Sequence, residues 1–364
     1  MKILLTGATG YIGKRLLPVL LSQDHEVVCC VRDRDRFDVS GFDSNKVSVV
    51  EVNFLKKESL ENIPEDIDVA YYLIHSMSTS LHDFERLEKT SAENFRERIN
   101  RTSARQVIYL SGIINEEKLS KHLKSRMAVE QTLTEGKYHL TTLRAGIVVG
   151  SGSASFEIIR DLVEKLPLMI TPRWLNTRAQ PIAIRNVVQF LTGVLLNPVA
   201  YDKSFDIGGP DILTYKEMLL QFARIRNLRR TIWVVPVMTP KLSSYWLYFI
   251  TSTTYKLAVN LVHSMKVEVV CKDNKLTEML GVELLTYEEA IQLAFDRIAQ
   301  QEIISSWTDA LSSPTLEQGI GKLIQVPTYG CFRDQRELPV VQEELVLDRI
   351  WAIGGKQGWY YANW

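Results

Sequence analysis

Short runs of β-branched and aliphatic residues alternate with longer stretches of helical periodicity over the first 150 residues. The runs at Lys2 to Thr6, Glu26 to Val31, Val47 to Val52, Val69 to Ile74, Val107 to Leu110 and Thr141 to Val149 predict strands. The stretches near Tyr11 to Ser22, Leu81 to Thr102 and Lys121 to Thr134 repeat their apolar positions at helical spacing and predict helices. Parallel strands need a crossover and a helix supplies it, so the alternation implies right-handed βαβ units and a doubly wound parallel α/β sheet. Pro18 inside the first helix removes the backbone hydrogen bond to Lys14 and predicts a local kink.

After Gly150 the pattern loosens into helices separated by turns at Pro167, Pro172 and Pro181. A strand-like piece, Ser204 to Ile207, is closed by Gly208, Gly209 and Pro210, and helical periodicity returns at Tyr215 to Arg226 and Tyr287 to Gln300. The organisation expected is a sheet domain over 1–150 to which 180–210 returns. An interleaved, mainly helical substrate region covers 151–179 and 211–300, and 301–364 read as the start of an incomplete C-terminal domain.

Composition narrows the class of partner. The 43 Lys and Arg balance 43 Asp and Glu, so no global positive field draws in a nucleic acid, and a small molecule is the expected ligand. Cys29, Cys30, Cys271 and Cys331 lack metal-ligand spacing, so no metal is expected, and they read as reduced thiols in a cytoplasmic compartment. Cys29 and Cys30, adjacent in a strand, should face opposite sides of the sheet. The apolar N-terminus runs straight into a glycine turn and reads as a strand, not a signal peptide. Tyr245 to Val262 is interrupted by Thr251 to Thr254, Lys256 and Asn260, which argues against a transmembrane span and leaves room for a peripheral membrane contact. Nothing in the sequence fixes an oligomeric state.

Thr6 to Gly13 reads TGATGYIG, with Gly7, Gly10 and Gly13 three residues apart between the first strand and the first helix. Glycines permit positive φ in such a turn and let the backbone approach a pyrophosphate, whose charge then meets the free N–H groups of the helix. Thr6, Gly7, Thr9, Gly10, Tyr11, Ile12 and Gly13 are therefore the expected dinucleotide cradle of a Rossmann sheet. The second strand runs into Arg32, Asp33, Arg34, Asp35 and Arg36. A guanidinium there suits a 2′-phosphate, at roughly 1.5–3 kcal/mol per hydrogen bond to a charged group. Arg32 and Arg34 thus favour NADP(H), with NAD(H) open through Asp33 as a 2′-hydroxyl partner.

TGATGYIG, IYLSG (Ile108 to Gly112) and LRAGIVVGSGS (Leu143 to Ser153) resemble the extended and atypical short-chain dehydrogenases/reductases, an NmrA- and epimerase-like superfamily. YYLIHSM (Tyr71 to Met77), HLKSR (His122 to Arg126), SASFEIIRDLVEKLPLMITPRW (Ser153 to Trp174), QPIAI (Gln180 to Ile184) and GGKQGWYYANW (Gly354 to Trp364) resemble a bacterial atypical subfamily with a C-terminal domain of unknown function. The chain resembles a truncated form of that architecture. The resemblance implies a catalytic Ser or Thr at the fifth-strand end and a Tyr-x-x-x-Lys pair on the next helix. Ser111 stands at the first position; His122 and Arg126 stand where Tyr and Lys are expected. In a functional reading His122 is the general acid or base and Arg126 holds the ribose. In a structural one Arg126 pairs with Glu130 at (i, i+4) and the site binds cofactor without turnover. Lys124, two residues from His122, should face elsewhere.

His75 and Ser76 end the fourth strand, where a parallel sheet binds its ligand, and are candidate cofactor contacts. Asn94 reads either as a structural polar group or as a backbone-orienting one, and Arg144 as a holder of the sheet edge or of a neighbouring carboxylate. His25, His82, His139 and His263 carry no partner pattern. Trp174 to Asn186 and Trp233 to Tyr255 form either the far wall of a cleft for an apolar or quinone-like ligand or the core of the helical region. Two functions follow: an oxidoreductase or isomerase on a small apolar carbonyl or quinone, or a non-catalytic NADP(H) sensor or scaffold.

Overall fold

The computed structural model describes residues 1–37, 41–74, 84–114, 121–235 and 265–299, without the side chains of 36, 84, 121–123 and 297–299. Strands β1 (Lys2–Thr6), β2 (Glu26–Val31), β3 (Val47–Glu51), β4 (Val69–Tyr72), β5 (Gln106–Gly112), β6 (His139–Ala145) and β11 (Lys203–Ile207) form one parallel sheet. Its order is β11-β6-β5-β4-β1-β2-β3, so the winding reverses between β1 and β4. A doubly wound sheet opens its ligand crevice at such a reversal, outside the carboxyl ends of the strands.

Both faces of the sheet are covered, as near-continuous apolar strands require. Cys29 packs with Leu16, Leu17 and Leu20 of α1 (Tyr11–Ser22) and with Val187, Phe190 and Leu191 of α5 (Ile184–Gly193). Cys30 faces the opposite core, with Phe95 of α2 (Phe84–Ile99) and Val129 and Leu133 of α3 (Lys121–Thr134). The expectation for the two cysteines therefore holds. Helix α1 runs through Pro18 without interruption.

A second core gathers Phe156 and Leu162 of α4 (Ala154–Lys165), Phe222 of α6 (Tyr215–Ile225) and Ile291 of α8 (Tyr287–Ala299). The short α7 (Lys275–Leu280) precedes α8. This region is less purely helical than its periodicity suggests. It holds β8 (Leu168–Pro172) paired with β13 (Thr231–Val235), and β9 (Arg178–Ala179) paired with β12 (Leu213–Thr214).

Two predicted strands end early. The sixth divides into β6 and β7 (Val148–Val149), the latter pairing with β10 (Ile182–Ala183) outside the main sheet. Gly146 permits the departure, since a Cβ there would lie 3.2 Å from the Gln180 carbonyl oxygen and 3.0 Å from Val269 Cγ1. The fourth stops at Tyr72, because the Leu73 amide donates to Thr6 Oγ1 instead of continuing the ladder.

Candidate functional site

Strand β1 delivers Thr6 to the reversal point, where its buried hydroxyl donates to the Tyr71 carbonyl at 2.8 Å and accepts from the Leu73 amide at 3.1 Å. Thr6 thus clamps β1 to β4, and its side chain is committed to the frame of the site. Gly7 follows at φ +67°, a left-handed conformation costly for side chains, and a Cβ on it would stand 2.8 Å from the Leu73 carbonyl oxygen. At Gly13 a Cβ would come within 2.3 Å of the Gly7 carbonyl oxygen, so helix and turn touch there. Gly10 differs: its amide donates to Gly7 O at 2.9 Å, and among the described residues only that oxygen, at 3.1 Å, lies near a Cβ built on it. Its other side is open for a ligand to approach the backbone. Gly10 caps α1 without a side-chain hydrogen bond and the first turn holds no acidic residue, so its positive end suits an anion. These features fit a dinucleotide pyrophosphate.

Thr9, Tyr11 and Ile12 are half-buried around the same turn. The Tyr11 hydroxyl sits beside Gly150 and Ser153, and burial pushes its pKa up to about 12. Arg15, one helical turn on, lays its guanidinium 4.0 Å from the Tyr11 ring centre and donates to the Ser151 carbonyl at 2.7 Å. The glycine turn is thereby tied to the loop that opens α4. Sequence reasoning passed over Arg15; the signal was its (i, i+4) spacing from Tyr11.

Past β2, Arg32 and Arg34 are exposed, and Asp33 accepts from the Asp35 amide at 3.1 Å, capping the 3-10 turn Arg34–Arg36. The carboxylate that was the alternative ribose partner is thus engaged in capping. The side chain of Arg36 lies outside the description, as do His75 and Ser76.

Ser111 and Tyr109 point from β5 towards the face covered by α3. The buried Ser111 hydroxyl has no hydrogen-bond partner among the described residues, though the Tyr109 hydroxyl lies beside it. Burial raises the Tyr109 pKa, with the nearby Arg126 guanidinium opposing. Arg126 donates through Nη1 to the Leu110 carbonyl at 3.1 Å. It does not make the pair with Glu130 that the structural reading gave it; that carboxylate is held by Arg144 (Nη2 to Oε1, 2.7 Å; Nε to Oε2, 3.2 Å) and by the Ser204 hydroxyl at 2.6 Å. The bidentate fork of Arg144 outcompetes a neighbour on the same helix. Arg126 therefore holds the carbonyl of the residue before Ser111, at the carboxyl end of β5. His122 belongs to α3 one turn earlier, and its side chain lies outside the description.

The remaining candidates separate from this centre. Asn94 is buried and donates to the Phe54 carbonyl at 2.8 Å, orienting backbone. His139 stacks on Tyr201 and bonds Asp202, and Lys124 is exposed. Trp174 is buried edge-on against Tyr215 in the second core, Trp233 is exposed, and 236–255 lie outside the description, as do Cys331, His82 and His263. No helix among the described residues is long and apolar enough to cross a membrane, and no cluster of His, Cys, Asp or Glu among them could hold a metal.

Residues 7–149 match a protein-family model described as NAD(P)H-binding. They form an NAD(P)H-binding domain. No curated protein matches the chain. Solved structures do match, on fold. A nucleoside-diphosphate-sugar epimerase of Staphylococcus aureus aligns at 15% identity over 80% of this chain and 100% of its own, TM-score 0.65. A triphenylmethane reductase of Citrobacter sp., complexed with NADP(H), aligns at 15% identity over 81% of this chain and 100% of its own, TM-score 0.65. A UDP-glucose 4-epimerase of Thermotoga maritima, with UDP-glucose, aligns at 14% identity over 82% of this chain and 99% of its own, TM-score 0.63. The chain thus shares the α/β Rossmann-type fold of these epimerases and this reductase, as the motifs led one to expect.

Proposed function

We propose that the NAD(P)H-binding domain takes NADP(H) and that the chain is an oxidoreductase or isomerase acting on a small apolar carbonyl or quinone-like compound in the cytoplasm. The observation that carries the reading is the buried Ser111 hydroxyl, unpartnered among the described residues and next to the Leu110 carbonyl that Arg126 holds, at the strand ends where a doubly wound sheet binds its ligand. A buried hydroxyl without a partner costs about 1–3 kcal/mol, a cost that a substrate oxygen would remove.

The nicotinamide, when bound, supplies or accepts the hydride. Gly7, Gly10 and Gly13 hold the pyrophosphate, Arg32 and Arg34 recognise the 2′-phosphate, and Ser111 orients the substrate oxygen. His122 on α3 exchanges its proton, with an ordinary pKa of about 6.5 well matched to the task, while the permanently charged Arg126 keeps that end of β5 positive.

A second reading, a non-catalytic NADP(H) sensor or scaffold, is favoured by Arg126 being engaged with the Leu110 carbonyl, a structural use of the residue at the Lys position. NADPH oxidation with a panel of quinones and carbonyls, in the wild type and in Ser111→Ala and His122→Ala, separates the two. Catalysis predicts turnover that falls at least ~100-fold in each variant. No turnover while NADPH binds, or variants as active as wild type, would leave the sensor reading standing.

A further inference from the structure

Strands β8 and β13 run parallel in register, with Ile170 beside Trp233 and Met169 beside Ile232. Met169 and Ile232 point into the second core. The opposite face presents Leu168, Ile170 and Trp233, exposed at 47%, 48% and 60%. Three large apolar side chains on one face of a two-stranded sheet make a patch that ordinary surface composition does not require.

Its surroundings are basic. Arg229 and Arg230 lead into β13 and Arg173 follows β8, while Lys165 before β8 is paired with Asp161 at 3.0 Å. Helix α8 packs in the second core on the other side of the pair: its Phe295 packs on Phe156 and Phe222 and lies 4.5 Å beneath Arg226, which pairs with Glu164 just before β8. The described chain ends at Ala299, one helical turn past Phe295. The following residues 301–364 carry eight Asp and Glu against five Lys and Arg and include Trp307, Trp351, Trp359 and Trp364. They complement the patch in charge and in apolar content.

We propose that residues 301–364 dock on the exposed face of the β8–β13 pair, over Leu168, Ile170 and Trp233. The face belongs to the substrate region, so docking there would couple the C-terminal segment to the elements that build the second core.

The full chain carrying Ile170→p-benzoylphenylalanine, irradiated in dilute solution and mapped by mass spectrometry, tests this. An equal mixture of isotopically light and heavy chains separates links within one chain from links between copies. The expected result is a dominant intramolecular link from position 170 to residues 301–364, its yield falling severalfold when Arg173→Glu and Arg229→Glu are added. A link only to a second copy, or none in a chain that still binds NADPH, would overturn the proposal.

Discussion

Arg144 on β6 grips Glu130 on α3 with two hydrogen bonds, and Ser204 of β11 adds a third. The brace joins α3, which carries Arg126, to the two strands beyond β5. Glu130 is buried and Arg144 only partly exposed, so removing one partner strands the other. Arg144→Ala should lower stability by about 3 kcal/mol, the low end for a broken buried pair. Denaturant unfolding measures it; a loss under ~1 kcal/mol, ordinary for a surface pair, would show that the brace is cosmetic.

The glycines of the turn should respond differently to alanine. Gly7→Ala meets the Leu73 carbonyl and a left-handed backbone, and Gly13→Ala meets the Gly7 carbonyl. Each should cost roughly 1–3 kcal/mol from strain and overpacking, read as a lowered Tm. A Tm unchanged in both would mean the turn is not built as described.

Burial raises the Cys29 thiol to about 12 and raises Cys30 as well. A raised folded pKa means the stability is complete below the ordinary thiol range and is lost as pH climbs towards the folded value. Denaturation midpoints should therefore decline between about pH 9 and pH 12. Peptide mapping after treatment with a thiol reagent at neutral pH should find Cys29 and Cys30 unmodified in the folded chain and modified after unfolding; equal labelling in both states would contradict this core assignment.

Cofactor choice should follow Arg32. The proposed contact with a 2′-phosphate is worth roughly 1.5–3 kcal/mol, so Arg32→Ala should reduce NADPH affinity at least ~10-fold and leave NADH affinity unchanged. Parallel titrations at fixed ionic strength check it. Equal losses for both cofactors would remove Arg32 from the 2′ position and return attention to Arg34.

What the sequence revealed was local. TGATGYIG announces its turn because glycine spacing, strand and helix are contiguous, and Cys29 and Cys30 separate by simple alternation. The structural reading paired Arg126 with Glu130 because that (i, i+4) neighbour is visible in the sequence, whereas the competitors for Glu130, Arg144 and Ser204, come from distant strands. The β8–β13 pair was missed for a related reason: each strand has only five residues, and its partner lies about sixty residues away. Apolar runs show burial, but pairing across such separations leaves no periodicity.

Calorimetric titration of NADPH into wild type and Gly10→Ala tests most directly whether the open side of Gly10 receives a cofactor phosphate. A Cβ there meets only one backbone oxygen among the described residues, so Tm should stay close to wild type. The affinity should fall at least ~10-fold, about 1.4 kcal/mol. Wild-type affinity in Gly10→Ala, or no NADPH binding by the wild type, would contradict the account.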